Sequence, residues 1–380
     1  MASNTPQNFR VYGKPGSGDY GSSMGEQNTA SIDVRKEKIL DIVDTIPMRD
    51  KGRVFTIGDY GTADGFVSIP LIGDIIGRVR QRQGNIPVQV MYEDQPTNDF
   101  GSLFKRVYGL IPVPRTYLKD FSDVYVAATA AGFYQPVMPP ESADVIFSFL
   151  AVQYLSKPAT KFQDSFHRYP NATPEESRLV AAQAAIDWET FLLLRAKELK
   201  SGGILAVSMP ADDPQKRVKG LRHCVQNPEE DMLKMWRRMR DEGKITQEEF
   251  VDTNFHRCCR YLEECTAPFT ESNSAVTKAG LQLIDAELVY LPSMAHLRWR
   301  ERLEKEGVDD RESWARTVIG QHRCWSNWNF IRALSNTRSS DEKEALVDEL
   351  YERLEREAVE TNPEEYLNDS LLAFVFARKV

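Results

Sequence analysis

The stretch at residues 59–65 contains the first residues whose types and spacing point to chemistry. It reads Asp-x-Gly-x-x-x-Gly and follows the β-prone residues Val54–Ile57. Gly61 and Gly65 lack a Cβ, so the backbone there can bend tightly and approach a ligand closely. Asp59 at the strand end suits a cationic or hydroxyl-bearing ligand, such as the ammonium and sulfonium of S-adenosylmethionine. A plain structural turn is the alternative interpretation of the same pattern.

Because of Ala63, this turn does not match the dinucleotide-binding fingerprint. That fingerprint, Gly-x-Gly-x-x-Gly, needs its second glycine at the position of Ala63. The sequence therefore disfavours a dehydrogenase or another dinucleotide enzyme.

A second acidic residue, Asp94, ends the next predicted strand, residues 87–94. It lies 35 residues after Asp59. An acidic residue at this point of a nucleotide-binding fold commonly accepts hydrogen bonds from ribose hydroxyls. We expect this role for Asp94, with an exposed acid at a strand end as the alternative.

The elements that must position these residues alternate between strands and helices. A helix is predicted for residues 32–46 and another from about residue 66 to residue 83, since apolar residues recur there at helical spacing. Further strands and helices are predicted for residues 143–149, 204–208 and 371–380, and for residues 187–199, 229–241, 247–252 and 339–359. This order predicts an α/β, Rossmann-like fold with a helical cap.

We divide the chain into four predicted regions. Residues 1–48 form an N-terminal segment of the active-site lid, and residues 49–210 form the nucleotide-binding core. Residues 211–335 form a mainly helical cap over the acceptor, and residues 336–380 complete the core with a helix and a strand.

Composition limits the function classes. The 380 residues carry a net charge of −8, which argues against nucleic acid as the main partner. Five cysteines without metal-ligand spacing suggest a reducing compartment and no metal site. No apolar run is long enough to span a membrane, so we expect no membrane partner. The polar, glycine-rich N-terminus has no apolar signal core, so we expect a cytoplasmic location. The sequence does not decide between a monomer and a homodimer.

Several motifs, in order, resemble the SABATH family of S-adenosylmethionine-dependent methyltransferases. Residues 93–100 resemble its Asn-Asp-Leu-Pro-x-Asn-Asp-Phe signature, with Glu93 and Gln95 departing from it. The turn at residues 59–65 resembles its Asp-Leu-Gly-x-x-x-Gly, although Val67 replaces a family asparagine, and residues 131–134 resemble Gly-Ser-Phe-Tyr. The resemblance covers roughly residues 19–380, is strongest over 54–203, and implies a class I methyltransferase sheet.

This resemblance implies a cofactor, S-adenosylmethionine, and a set of residues that bind it. Asp59 would hold its methionine end, Asp94 its ribose, and Phe133 its adenine ring. The implied cofactor-binding residues are Tyr20, Asp59, Gly61, Gly65, Asp94, Gln95, Gly132, Phe133 and Ser148.

The resemblance also implies a small carboxylic acid as acceptor. Gln27 and Tyr154 would orient its carboxylate, with Leu150 and Gln153 beside them. A carboxylate is ionised at neutral pH and needs no general base, so we expect neither a catalytic triad nor a metal. The rest of the acceptor is expected to be apolar or aromatic. The alternatives are N- or O-methylation of a non-acid small molecule, as in the caffeine branch, and a non-catalytic ligand-binding relative.

Overall fold

The computed structural model describes residues 12–48, 53–168, 171–215, 218, 227–270, 273–366 and 368–380. Cys224, one of the five cysteines of the sequence, lies outside the described residues. The other four, Cys258, Cys259, Cys265 and Cys324, are buried free thiols.

A seven-stranded mixed sheet forms the centre of the molecule. Its strands are β1 (Phe55–Tyr60), β2 (Val88–Asp94), β3 (Val124–Ala130), β4 (Ala143–Phe149), β5 (Leu199–Pro210), β6 (Leu281–Leu291) and β7 (Ser370–Lys379). Their order across the sheet is β3-β2-β1-β4-β5-β7-β6, with β7 antiparallel to both of its neighbours. The expected α/β, Rossmann-like sheet is thereby confirmed.

Twelve α-helices surround or extend the sheet in the described part of the chain. They are α1 (Asp19–Asp33), α2 (Lys36–Asp44), α3 (Ser68–Gln83), α4 (Phe100–Val107), α5 (Pro174–Glu198), α6 (Asn227–Asp241), α7 (Gln247–Asp252), α8 (Leu262–Thr270), α9 (Ala275–Lys278), α10 (Met294–Glu306), α11 (Arg311–Ala333) and α12 (Ser340–Glu360).

Strand β1 is central in the parallel part of the sheet, and all six of its residues are buried. It pairs with β2 on one side and with β4 on the other. The chain order reverses between these neighbours, so the crevice beyond the carboxyl ends of β1 and β4 is where open α/β sheets bind ligands.

The N-terminal segment differs from its prediction. The single helix expected over residues 32–46 is wrong, because α1 ends at Asp33 and α2 begins at Lys36, on either side of Val34 and Arg35. Helix α1 also starts earlier, at Asp19, in a stretch rich in glycine and serine. Such a stretch has weak helix propensity, so the helix depends on tertiary packing.

The structure also divides the cap and the core differently from the predicted boundaries. Strand β6 lies within residues 211–335 yet belongs to the central sheet. Helix α12 lies within residues 336–380 yet packs on α6 and α11, with Val347, Leu350 and Leu354 in the hydrophobic core of the cap. An apolar helix face packs wherever a complementary face lies, whatever its position in the chain.

Candidate functional site

The turn after β1 is fixed to the end of β2 by backbone and carboxylate hydrogen bonds. The Gly61 N–H donates to the backbone carbonyl of Glu93 at 2.9 Å and to Glu93 Oε2 at 3.1 Å. The Ala63 N–H donates to Asp94 Oδ2 at 2.7 Å. Gly61 and Ala63 both have positive φ, at 75° and 50°. The left-handed backbone therefore wraps around the acidic end of the neighbouring strand.

A cavity opens at this turn, and we call it the turn cavity. Its wall includes the sequence-predicted residues Tyr20, Asp59, Gly61, Asp94, Gln95, Gly132 and Phe133, together with Glu93. The structure thus brings together most of the cofactor-binding residues that the resemblance implies.

Two carboxylate oxygens in the turn cavity have no hydrogen-bond partner within the described residues. They are Oδ2 of Asp59 and Oε1 of Glu93, and both side chains are buried. Burial raises the pKa of Asp59 to about 7 and raises the pKa of Glu93 well above its usual range. Buried carboxylates without a partner are costly, and a cationic ligand would supply that partner. These residues therefore fit the ammonium and sulfonium of S-adenosylmethionine.

Asp94 lies at the other end of the same acidic group. Its Oδ1 accepts from the Gln95 N–H at 2.8 Å, and its Oδ2 accepts from the Ala63 N–H. Each carboxylate oxygen has a second lone pair for a ligand hydroxyl. Burial raises the pKa of Asp94 to about 6.

Two implied cofactor residues lie outside the cavity wall. The Ser148 hydroxyl is fully buried and donates to the Tyr60 carbonyl at 2.8 Å, so it links β4 to β1. Gly65 has a φ of 74°, and a Cβ there would collide with Leu103 of α4. Neither residue lines the turn cavity, and both shape the turn and its supporting helix.

The family-like residues Asn98 and Asp99 hold neighbouring segments together. The Asn98 side-chain amide donates to the Ala63 carbonyl at 2.8 Å. Asp99 accepts from the Ser102 N–H at 3.1 Å as the N-cap of α4, and from the Gly16 N–H at 2.7 Å. This part of the signature therefore positions the cavity wall.

Helix α1 lies across the turn through contacts that the sequence did not reveal. A Cβ on Gly21 or Gly25 would overlap the Phe66 side chain, so only glycine permits this close approach. Asp64 accepts from the Gly21 N–H at 2.9 Å and forms a fully buried ion pair with Arg106 at 2.7 Å. The helix thereby places its own residues over the turn cavity.

A second cavity continues from the first, and we call it the cap cavity. Five residues line both cavities and form their shared wall: Tyr20, Asn28, Ser31, Leu150 and Tyr154. Away from the shared wall, the cap cavity is lined by Gln27, Gln153, Glu229, Arg257, His322 and Asn368, with leucines beside them. All four residues expected to contact the acceptor, Gln27, Leu150, Gln153 and Tyr154, therefore face one cavity.

Tyr154 lies in the shared wall and pairs with Arg257 through an isolated antiparallel bridge. Burial raises the pKa of the Tyr154 phenol above its usual range, although the Arg257 charge opposes this shift. The hydroxyl therefore stays protonated, and a protonated phenol can donate a hydrogen bond.

The Gln27 amide is held in a fixed orientation. Its Oε1 accepts from the Met294 N–H at 2.8 Å, and its Nε2 lies 3.4 Å from the Pro292 carbonyl. Since a primary amide has two N–H groups, one remains for a ligand in the cap cavity.

Leu150, in the shared wall, is joined to Gln153 by a tight turn. Leu150 has a φ of 56°, and its carbonyl accepts from Gln153 Nε2 at 2.6 Å. Gln153 Oε1 is buried and has no partner in the described chain. This oxygen is an acceptor at the edge of the cap cavity.

The wall of the cap cavity contains more polar side chains than we would expect for an acceptor whose remainder is apolar or aromatic. Arg257 and Glu229 form a buried ion pair in its wall. His322 shares a 2.8 Å hydrogen bond with Asn368, and burial lowers the pKa of His322 to about 4. These residues come from α6, α11 and two loops, so no local motif could reveal the group.

Two properties of the described chain bear on ligand class. Within the described residues, no group of three or more histidine, cysteine, aspartate or glutamate side chains has an arrangement that could hold a metal. None of the described helices combines the length and the apolar character that crossing a bilayer requires.

Comparison with known proteins gives the class of this chain. The profile of the SAM dependent carboxyl methyltransferase family matches residues 15–323. The chain therefore belongs to this family, whose cofactor is S-adenosylmethionine.

Relatives in fungi and plants share part of the sequence. Methyltransferase FUS9 of Gibberella moniliformis is 30% identical over 201 residues, which cover 51% of this chain and 50% of that protein. Indole-3-acetate O-methyltransferase 1 of Oryza sativa subsp. japonica is 30% identical over 221 residues, covering 50% and 54%. Farnesoic acid carboxyl-O-methyltransferase of Arabidopsis thaliana is 26% identical over 211 residues, covering 52% and 57%. The chain thus spans about half the length of the curated relatives that it matches.

The fold extends over nearly the whole chain. A structure of loganic acid methyltransferase with SAH superposes with a TM-score of 0.73 at 16% identity, covering 97% of this chain and 98% of that one. At this identity the likeness concerns the fold alone, and it includes the cap as well as the sheet.

Proposed function

We propose that this protein is an S-adenosylmethionine-dependent O-methyltransferase that forms the methyl ester of a small carboxylic acid. The observation that carries the proposal is the shared wall between the two cavities. Tyr20 and Tyr154 face both an acidic cavity suited to a cation and a second cavity with hydrogen-bond donors. A cofactor and an acceptor bound in these cavities would meet at that wall.

The residues of the turn cavity have complementary roles in holding the cofactor. Asp59 and Glu93 offer unpartnered carboxylate oxygens to its cationic groups. Asp94 and Gln95 offer polar groups to the ribose, and Phe133 offers a ring face to the adenine. When bound, S-adenosylmethionine supplies an electrophilic methyl group activated by its sulfonium.

The cap cavity has to place an acceptor that is already nucleophilic. A carboxylate is ionised at neutral pH, so the chain needs no general base for it. It needs donors for the carboxylate once water is excluded, because a carboxylate only accepts hydrogen bonds. The Gln27 amide and the Tyr154 hydroxyl are such donors. Their task is to orient one oxygen toward the methyl group, which lowers the entropic part of the barrier.

An acceptor screen tests this proposal. Carboxylic acids would be incubated with labelled S-adenosylmethionine alongside the matched amides, alcohols and amines. We expect label to be transferred to acids and released by mild alkali, as a methyl ester requires. An amine or alcohol that outperforms every acid would instead support N- or O-methylation of a non-acid.

Two finer points belong to the same proposal. A reducing compartment such as the cytoplasm is supported by the four buried free thiols, Cys258, Cys259, Cys265 and Cys324. A homodimer would be tested by analytical ultracentrifugation of the purified protein.

A further inference from the structure

We propose that Arg257 binds the acceptor's carboxylate beside Tyr154. The inference rests on the proposed function, because it assumes that a carboxylic acid occupies this cavity. It adds a cationic anchor, outside every motif of the sequence, that would bind the carboxylate more strongly than neutral donors do.

The position of Arg257 follows from its backbone pairing. Tyr154 and Arg257 oppose each other in an isolated antiparallel bridge. Directly opposed residues of an antiparallel pair point to the same face with their Cβ atoms about 5 Å apart. Both side chains line the cap cavity. A carboxylate that reaches the Tyr154 hydroxyl therefore also lies near the guanidinium.

The guanidinium retains hydrogen-bonding capacity. It has five N–H donors, and its ion-pair partner among the described residues is Glu229. A single carboxylate accepts at most a bidentate pair from the guanidinium fork. The Arg257 Nε has no partner in the same described set. The centroid of the Trp325 ring lies 4.5 Å from the guanidinium carbon.

Among the described residues that line the cap cavity, Arg257 carries the positive charge. It is 7% exposed, and no other lysine or arginine lines the cap cavity in the described part of the chain. Glu229 lies between Arg257 and His167, whose pKa burial lowers well below its usual range. Asp369, the other carboxylate of the wall, accepts from the Ser293 N–H at 2.9 Å and from the Tyr290 hydroxyl. Asp369 is therefore partnered by neutral donors, and Glu229 is partnered by Arg257 itself.

This arrangement gives the two carboxylate oxygens of the acceptor different roles. The oxygen that pairs with the guanidinium is made less nucleophilic by the charge-assisted bond. The other oxygen stays available at the shared wall. Arg257 would then raise affinity for acids and set which oxygen is methylated.

The test compares Arg257→Gln with Arg168→Gln. Arg168 is a matched control, because it is also buried, pairs with Glu264 at 3.0 Å and lies over the Tyr261 ring, yet lines neither cavity. Calorimetry would measure binding of the best acid to each protein saturated with S-adenosylhomocysteine. We expect Arg257→Gln to weaken acid binding about 10- to 100-fold, with unchanged S-adenosylhomocysteine affinity, and Arg168→Gln to leave both unchanged.

Two further variants distinguish the loss of a ligand contact from misfolding of Arg257→Gln. Arg257→Lys keeps the positive charge and should therefore recover part of the acid affinity. The double variant Arg257→Gln/Glu229→Gln removes the buried charge that the single change leaves unpaired, and it should still bind the acid weakly. Acid binding within about two-fold of wild type in a folded Arg257→Gln or double variant would overturn the inference. A wild-type protein that methylates only amines or alcohols would overturn the proposed function instead.

Discussion

Arg106 and Asp64 form a fully buried ion pair, 2.7 Å long, between α4 and the turn after β1. The same guanidinium donates to the Gly18 carbonyl at 2.9 Å, and the same carboxylate accepts from the Gly21 N–H at 2.9 Å. The pair therefore joins three segments that lie apart in the sequence: the start of α1, the turn after β1 and α4. It is the structural reason that α1 can contribute Tyr20 and Gln27 to the two cavities.

Replacing Arg106 with glutamine should destabilise the protein and release α1. Removing one partner of a buried ion pair typically costs about 3–5 kcal/mol, because the other charge is left uncompensated. Chemical denaturation would measure the free energy of unfolding, and limited proteolysis would measure release of the helix. Arg115→Gln is the control, since Arg115 pairs with Asp120 at the surface, where such pairs contribute about 0–1 kcal/mol. If Arg106→Gln and Arg115→Gln lowered the free energy of unfolding equally, the Arg106–Asp64 pair would not be what holds α1 in place.

The glycines of α1 allow a second test of the same contact. Gly25→Ala should destabilise by about 1–3 kcal/mol and weaken ligand binding, because the new methyl group overlaps Phe66. Gly320→Ala in α11 is the control, since a Cβ there meets nothing within 4 Å, and it should stabilise by about 0.5–1 kcal/mol. Thermal unfolding would measure both. Adding Phe66→Ala should relieve the Gly25→Ala overlap; if it does not, α1 is held by other contacts.

Asp94 should contribute to cofactor affinity. Asp94→Ala is expected to weaken S-adenosylmethionine binding by about 1–3 kcal/mol, the usual loss for a hydrogen bond to a charged group. Isothermal calorimetry measures the change, with Asp120→Ala as a surface control. Wild-type protein that binds NAD and ignores S-adenosylmethionine would argue against this assignment.

Cofactor binding should depend on pH, because burial raises the pKa of Asp59 to about 7 and that of Asp94 to about 6. An unfolded aspartate titrates near about pH 3.9. Between about pH 4 and pH 7 the ligand-free folded protein therefore holds more protons than the unfolded chain, and its stability falls as pH rises. A cationic ligand favours the ionised carboxylates, so the stabilisation that S-adenosylmethionine adds should increase over that range.

Thermal unfolding with and without S-adenosylmethionine, from about pH 5 to about pH 8, would measure this dependence. Asp59→Asn should reduce this dependence, because the amide does not titrate while Asp94 still does. A ligand-induced rise in melting temperature that is equal at all pH values would mean that these carboxylates do not respond to the cofactor's charge.

Much of the sheet could be predicted because its signals are local. The apolar runs of β1 and β4 lie within single segments, and Asp59 and Asp94 were found by their places at strand ends. The position of Ser148 behind the wall was not visible, because the direction of a side chain at a strand end depends on register.

The rest of the site depends on contacts between distant segments. Helix α1 was missed because Gly21 and Gly25 are poor helix formers whose value lies in their contact with Phe66. Arg257 and Glu229 come together only when α6 and the loop after α7 fold against each other. No periodicity or spacing in the sequence predicts the contact between Arg257 and Glu229.

Gln27 should contribute to turnover without contributing to cofactor affinity, because it lines the cap cavity and not the turn cavity. Its Oε1 is held by the Met294 N–H at 2.8 Å, which leaves an amide N–H for the acceptor. Gln27→Ala should lower turnover of the best acid about 10- to 100-fold, consistent with losing one donor that orients the nucleophile.

Gln27→Glu separates the donor role from the structural one. The glutamate keeps an oxygen for the Met294 N–H but offers no N–H to a carboxylate and adds a negative charge, so acid turnover should fall at least as far as in Gln27→Ala. Its melting temperature should stay closer to wild type than that of Gln27→Ala, because α10 remains attached through Met294. Steady-state kinetics and calorimetry with S-adenosylhomocysteine would measure both roles. Full activity of Gln27→Glu on the acid would mean that Gln27 only anchors α10 and that the carboxylate is bound by other residues.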